Sequence, residues 1–340
     1  MLFVYRRTAF LPSILERIAA ARPPRVFVFA DAPREGGEDA EGCRDVLALI
    51  EEWRCPAPLE FSVAPRNLGN SGRVTSGVDA VLAEVDRAIF IEDDVALSPG
   101  FLPFCDALLE QYAETPEVMM ISGLNPLDRW ADEGGRGHHF STLGHAQAWA
   151  TWRRAWRRRD GALGRWQEMG ARSELAAFLG DDEIGAERAR LYDALAEGRV
   201  TTWDYHWALA RQLAGGLCAV PSRNLALHRG NDPGAAHVRR RALLYELAQL
   251  HDLSLGGPPP QLKPDRAFDR LIFELGHNRL SSASARRLAQ PLIEDGRRLL
   301  ALALLRHAMR GGVPDAETEA LMRLALRGGG GATKAAENQE

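Results

Sequence analysis

Lysine is nearly missing from this chain. Of its 42 basic residues only Lys263 and Lys334 are lysines, and arginine supplies the rest. A P-loop nucleotide hydrolase or a Schiff-base enzyme would therefore lack its key residue at any plausible position. Cysteine is also scarce: Cys43, Cys55, Cys105 and Cys218 stand apart without a CxxC pair. That argues against a zinc site and for a reducing compartment, so a cytoplasmic location is expected. No apolar run reaches the length of a membrane span, and the best candidate, LLALALL around Leu300, is hemmed in by arginines. The opening MLFVYRRTAF runs apolar before basic, the reverse of a secretory leader. A net charge of −4 gives no pull towards nucleic acid. No transmembrane segment is expected, which leaves peripheral membrane contact as the only kind open to the chain.

What is present reads as a soluble globular protein. The chain has 340 residues, 46% of them hydrophobic and 26% charged, enough for a large domain with a smaller extension. LFVY and RVFVFAD read as buried strands with a helix, Leu11 to Ala21, between them. A helix near Cys43 to Trp53, a strand near Leu59 to Ala64 and a helix after RNLGNSG follow. AIFIEDD and VMMISGLN read as further strands. Strands alternating with helices predict a doubly wound α/β sheet. QAWATWRRAWRRRDG carries Trp149, Trp152 and Trp156 at helical spacing, a stripe more often core than binding surface, and its arginines read as a solvated face. TTWDYHWALARQLAGG is a helix stopped by Gly215 and Gly216, and LCAVP a strand. From Arg239 the pattern turns helical, with segments 265–275, 283–310 and 315–327, the second split or kinked at Pro291. The expected organisation is a catalytic domain over 1–238, a helical extension over 239–328 and a disordered tail over 329–340. No internal repeat is visible.

The stretch IFIEDDVALSPGF sets three carboxylates, Glu92, Asp93 and Asp94, at the end of an apolar strand. Two unit charges about 4 Å apart repel by roughly 4 kcal/mol at an effective dielectric near 20, so the cluster needs a reason. Helix capping is the plain one, but Ser98 and Pro99 already read as N-cap and first helical position of the next helix. The acids thus sit in a turn at the C-terminal edge of a sheet, where open α/β proteins hold ligands. Glu92 and Asp94 point one way and Asp93 the other. A divalent cation is the natural compensation.

On these residues the chain resembles the inverting GT-A glycosyltransferases related to protein N-acetylglucosaminyltransferase I, with their EDD motif. It is more similar still to bacterial family 2-like, haemolysin-like sugar transferases. FADAP resembles the nucleotide-base loop and RNLG the segment before a donor-contacting helix. MMISGLN resembles the strand after the acids, AWATWRRAW the acceptor segment, and TWDYHWALARQLAGGLCAVPSRNLALHRGN the last catalytic block. The likeness covers about two-thirds of the chain in order. It implies a GT-A, Rossmann-like doubly wound mixed sheet with a C-terminal all-α extension.

The resemblance implies roles residue by residue. Asp94 would bind Mn²⁺ or Mg²⁺, and Glu92 and Asp93 would meet ribose or sugar hydroxyls. Asp31 would bind uracil, against the common alternative of an Asp-Ala-Pro turn, so a UDP-sugar donor is favoured. Arg66, Asn67 and Arg73 are candidate nucleotide contacts, each with a plain structural alternative. Asp204 matches the catalytic base, although an acid in a first helical turn also suits the macrodipole. Trp149, Trp152 and Trp203 are candidate acceptor contacts. His228 or His237 is a candidate further metal ligand, in a block that departs from the asparagine-containing turn usual in these relatives. The expected reaction is transfer of a sugar from a nucleotide-diphospho-sugar to a hydroxyl of a glycan or glycolipid, in bacterial surface-polysaccharide assembly. The rival readings are an inactive nucleotide- or glycan-binding module and a nucleotidyltransferase. VYRRTAF lacks the glycine-rich, lysine-containing loop that a nucleotidyltransferase usually displays.

Overall fold

A computed structural model describes residues 1–130, 136–228, 247–309 and 314–326. The chain divides into two compact units, Met1–Arg241 with Ala248–Asp269, and Ala242–Leu247 with Arg270–Glu340. The boundary expected near residue 238 and the tail 329–340 lie outside the described residues. Residues Ala248–Asp269, grouped by sequence with the helical extension, belong to the first unit. Among the described residues no helix is long and apolar enough to cross a membrane.

The first unit is a mixed α/β structure. It opens with β1 (Leu2–Val4), α1 (Leu11–Ala21), β2 (Val26–Ala30), α2 (Ala40–Glu52), β3 (Leu59–Val63), α3 (Gly69–Glu84) and β4 (Arg87–Glu92). Helix α1 buries Leu11, Ile14, Leu15 and Ile18, one stripe at helical spacing. There follow β5 (Val95–Leu97), α4 (Phe101–Gln111), β6 (Val118–Ser122), β7 (His138–Ser141), β8 (Ala148–Trp152) and α5 (Arg153–Trp156). Beyond them come α6 (Ala162–Trp166), α7 (Ala171–Leu179), α8 (Asp182–Ala196), α9 (Trp203–Leu213), β9 (Leu217–Pro221) and β10 (Ala226–His228).

The main sheet has eight strands in the order β3-β2-β1-β4-β8-β6-β9-β7. Strands β3, β2, β1 and β4 pair in parallel, and β8 lies antiparallel between β4 and β6. From β1 the chain steps outward to β3, then returns to β4 on the other side of β1. The order therefore reverses between β1 and β4, and such a switch point opens a crevice at the carboxyl ends of the strands. The expected α/β sheet is present, and its switch point carries the acid trio.

Three local expectations are corrected. Trp149 and Trp152 lie in a strand, not a helix: the spacing of three that imitates a helix turn instead sends the two rings to opposite faces of the sheet. Ser98 does not cap a helix with its side chain; Gly100 stands at the N-cap of α4, and the Ser98 hydroxyl is buried without a hydrogen-bond partner. Pro291 does not split its helix. The helix α11 (Ser282–Glu294) runs through it, and the break falls at Gly296, whose φ of +79° is left-handed.

The second unit is helical. Most of α10 (Arg266–Gly276) belongs to it, with α11, α12 (Arg298–Ala308) and α13 (Ala316–Leu326). Ser281 caps α11 by accepting from the Ser284 amide at 3.2 Å, and Asp315 caps α13 by accepting from the Thr318 amide at 2.8 Å. Leu288, Leu292, Leu304 and Leu305 are buried in this unit.

Candidate active site

The switch point brings two turns together. After β1 come Tyr5 and Arg7; after β4 come Asp93 and Asp94. The Tyr5 amide donates to Asp93 Oδ2 at 2.8 Å, and Arg7 Nη1 donates to Asp94 Oδ2 at 2.7 Å while lying 3.8 Å from Asp93 Oδ1. The antiparallel pairing of β10 with β5 sets His228 opposite Val95, and His228 Nε2 then lies 3.3 Å from Asp94 Oδ2. A histidine 134 positions away in the chain thus joins the acids.

The three carboxyls are not equivalent. Burial, then the charges of Asp94, Asp93 and Asp204, hold Glu92 well above its ordinary value, with Arg7 opposing. Asp93 is pushed up to about 6, by burial first, against the Tyr5 amide. For Asp94 burial is the largest influence and acts upward, yet His228, Arg7 and a backbone bond together hold its carboxyl below the usual range. Asp94 is therefore the acid kept anionic. Its Oδ1 is buried and has no hydrogen-bond partner.

That orphaned oxygen decides how well a cation fits. Among the described residues no group of three or more His, Cys, Asp or Glu side chains is placed to hold a metal ion. A single anionic carboxylate with an imidazole beside it is nevertheless a fitting partial set for Mg²⁺ or Mn²⁺, which commonly take a ligand or two from protein and the rest from phosphate and water. Asp94 and His228 fit such an ion; His237 lies outside the described residues.

A second series of bonds places α9. Both Asp31 oxygens accept from the Leu68 amide, at 2.9 and 3.1 Å, and Oδ1 also accepts from Ala32 at 3.0 Å. Asp31 thereby caps the N-terminus of α3 from a distant strand end, where Leu68 offers no side-chain cap. Asn67 Nδ2 donates to the Ala32 carbonyl at 2.6 Å and to the Tyr5 hydroxyl at 3.3 Å; that hydroxyl donates in turn to Asp39. One turn into α3, Ser71 donates to the Thr201 carbonyl at 2.7 Å and accepts from the Trp203 amide at 3.1 Å. Thus β2 fixes α3, and α3 fixes the start of α9. Asp204 sits there half-buried, with no hydrogen bond or ion pair among the described residues. Its charge reaches Glu92.

The tryptophans support this placement instead of facing solvent. Trp149 is 1% exposed, stacked on Phe90 at 4.6 Å and on Trp203 at 5.5 Å, and Trp156 and Trp207 complete the cluster. Trp152 points to the other face, where its Nε1 donates to the Leu109 carbonyl at 3.1 Å. An acceptor platform needs an open ring face, and the buried Trp149, Trp152 and Trp203 offer none. The neighbouring arginines are not a simple solvated face either. Arg153 Nε donates to Leu82 in the last turn of α3 at 2.6 Å, and Arg154 donates to Tyr112, Ala113 and Thr115 beyond α4. Both satisfy carbonyls at helix C-termini, where a cation is favoured.

Of the remaining expected donor contacts, Arg73 turns inward. Its Nη2 donates to the Ser62 carbonyl at 2.5 Å, and its guanidinium lies 4.7 Å over the Phe29 ring. Arg66 is exposed and unbonded among the described residues, so it alone of the expected cations is free to meet a ligand. Arg7, Tyr5, Asp39 and Ser71 were not singled out by sequence. The available signal was position: Tyr5 and Arg7 follow the first strand of a strand–helix–strand unit, hence the carboxyl edge of the sheet.

No family model matches the chain, and no curated protein matches it. Among solved structures it is similar to the mannosyltransferase PcManGT from Pyrobaculum calidifontis in complex with GDP-Man and Mn²⁺. Identity is 14%, with 96% of this chain and 79% of that chain covered at a TM-score of 0.39.

Proposed function

We propose that this chain is a metal-dependent, inverting glycosyltransferase of GT-A fold, taking a nucleotide-diphospho-sugar and an acceptor hydroxyl. The observation that carries the reading is a division of labour among acids at one sheet edge. Asp94 is held anionic with a buried oxygen unspent, and Asp204 faces the same cluster with no bond of its own. Asp94 and His228 would hold Mn²⁺ or Mg²⁺, which supplies Lewis-acid stabilisation of a departing nucleoside diphosphate. Asp204 accepts the proton of the acceptor hydroxyl as its oxygen attacks the anomeric carbon, and a single displacement inverts that centre. Glu92, whose carboxyl is pushed upward by burial and the neighbouring acids, would meet a ribose or sugar hydroxyl. Asp31 and Asn67 act by bracing α3, and Arg66 is the side chain left to meet the nucleotide. Bacterial surface-polysaccharide assembly in the cytoplasm is the setting that the sequence resemblance favours.

The test is calorimetry with UDP and GDP, with Mn²⁺ and with chelator, on the natural chain and on Asp94→Asn. Metal-dependent binding that disappears in Asp94→Asn is the expected result. Equal affinity with and without metal would refute the assignment. Slow Mn²⁺-dependent hydrolysis of one nucleotide sugar in a panel would then identify the donor.

A further inference from the structure

The turn after β1 runs beside the turn after β4, because Phe3 pairs with Glu92 in the parallel register. Arg7 is thereby set against two side chains, Asp93 and Asp94, that each keep only 7% of their surface in water. Its Nη1 lies 2.7 Å from Asp94 Oδ2 and 3.8 Å from Asp93 Oδ1. Arg25 and Arg286 also bridge two acids each, but those acids, Glu60 with Glu84 and Asp315 with Glu317, are exposed. A surface bridge contributes little, because water and salt already screen its charges. A buried bridge costs the desolvation of both ions, so stability alone is a poor reason for Arg7.

What Arg7 leaves unspent narrows the reason. Asp94 Oδ2 is shared by Arg7 and His228, at 2.7 and 3.3 Å, whereas Oδ1 is buried with no hydrogen-bond partner. Asp93 is held facing the same guanidinium by the Tyr5 amide, which donates to its Oδ2 at 2.8 Å. Arg7 therefore offsets the charge of the two acids without using the one oxygen still open to a cation. Two adjacent carboxylates would attract a divalent ion by themselves; with a guanidinium against both, much of that attraction is gone. A bare cation at Oδ1 meets a ligand atom, little net negative charge, and the repulsion of Arg7. That deficit disappears when the cation arrives with a nucleoside diphosphate, which brings its own negative charge to the same turn.

We propose that Arg7 is a positioning residue that makes cation binding at Asp94 conditional on the nucleotide. It disfavours the bare ion and leaves the ion's diphosphate complex favoured, so cation and donor enter as one unit. This rests on the glycosyltransferase reading and deepens it by assigning the residue that couples metal to donor.

The experiment titrates Mn²⁺ alone into the full chain, free Mn²⁺ being read by electron paramagnetic resonance, for the natural protein, Arg7→Gln and Arg7→Lys. Arg7→Gln should bind bare Mn²⁺ about tenfold more tightly, the effect of removing one positive charge a few ångströms from a divalent ion. Arg7→Lys keeps the charge and should bind it as weakly as the natural chain. Calorimetry with UDP in saturating Mn²⁺ should show no matching gain for Arg7→Gln, so the two effects part company. Weaker bare Mn²⁺ binding in a cooperatively melting Arg7→Gln overturns the proposal, because Arg7 would then only orient Asp94. Unchanged Mn²⁺ binding with weaker UDP binding also overturns it, since Arg7 would then be a plain phosphate contact. The natural chain supplies a check that needs no variant: Mn²⁺ with UDP should raise its Tm well beyond Mn²⁺ alone. Equal rises would overturn the proposal. Failure of both UDP and GDP to bind the natural chain would sink the glycosyltransferase reading, whereas the bare Mn²⁺ comparison judges Arg7.

Discussion

Under the proposed function Asp204 and Asp94 have opposite tasks, one as base and one as metal ligand. Asp94 has the Arg7 guanidinium at 2.7 Å and the His228 imidazole at 3.3 Å in a buried turn; Asp204 opens a helix, half-buried and unbonded among the described residues. Replacing Asp204 by Asn keeps shape while removing basicity. Donor affinity should persist and kcat should fall by roughly 10²–10⁴-fold, the usual worth of a positioned general base. A merely structural acid in the first helical turn would contribute about 0.3–1 kcal/mol to stability and nothing to turnover. Measuring kcat, UDP affinity and Tm on one Asp204→Asn preparation separates the cases, and a lower Tm with normal turnover would refute the catalytic role. At this scale the acid trio was legible because three adjacent carboxylates after an apolar strand repel one another and call for a cation or ligand to offset them. Arg7 was not, because an arginine in a chain so rich in arginine carries no signal until the β1 turn is seen against the β4 turn.

The elements show where local sequence rules give way to tertiary ones. Both helices whose N-termini open on the site take their caps from distant residues, α3 from Asp31 and α9 from Ser71. Replacing Ser71 by Ala should cost about 0.5–2 kcal/mol, the usual worth of a cap. Because the lost bond is the tie to α9, kcat should fall while UDP affinity changes little; equal losses in both would show that Ser71 serves α3 instead. Strand β7 carries a second consequence. His138 and His139 are both lowered by burial to about 4, and neither His139 nitrogen has a hydrogen-bond partner. A histidine depressed in the fold contributes stability above its unfolded value near 6.5 and loses it as pH falls towards 4. For a fully buried ring the loss is on the order of 3 kcal/mol. His139→Phe forfeits no hydrogen bond, so its Tm at pH 7 should match or exceed that of the natural chain. The gap should widen between pH 6.5 and 4, and parallel acid losses in the two proteins would refute the assignment. The helix–strand alternation of the first seven elements was readable because each stripe keeps one period. Strand β8 was not, since its tryptophans at 149 and 152 imitate a helix turn. Nor was the pairing of β5 with β10, three residues each and far apart in the chain, which is what brings His228 to Asp94.

At the scale of the whole molecule, the segment after residue 247 is less dispensable than its composition suggests. Within the first unit Asp269 is 1% exposed and accepts from the Ser141 and Thr142 hydroxyls at 2.5 and 2.6 Å. Asp265 accepts from Trp130 Nε1 at 2.7 Å, and His251 Nε2 lies 2.9 Å from Asp128. Phe268, 1% exposed, meets the His139 ring at 4.4 Å. None of these partnerships is visible in a segment that the sequence assigns to a helical extension. Burial of one such phenylalanine is worth roughly 2–3 kcal/mol, and leaving the polar groups around β7 unpaired costs about 1–3 kcal/mol each. Against a net stability of about 5–15 kcal/mol, those losses together are enough to unfold the unit. A chain ending at Val238 should therefore fail to fold, shown by aggregation or a missing cooperative melt. A chain ending at Gly276 keeps every one of these contacts and should melt cooperatively and bind UDP with metal as the full chain does. If the chain ending at Val238 melts like the full chain, residues 248–269 are a decoration and the contacts above carry little energy. If instead the chain ending at Gly276 folds but no longer binds UDP, the donor requires the helices of the second unit as well.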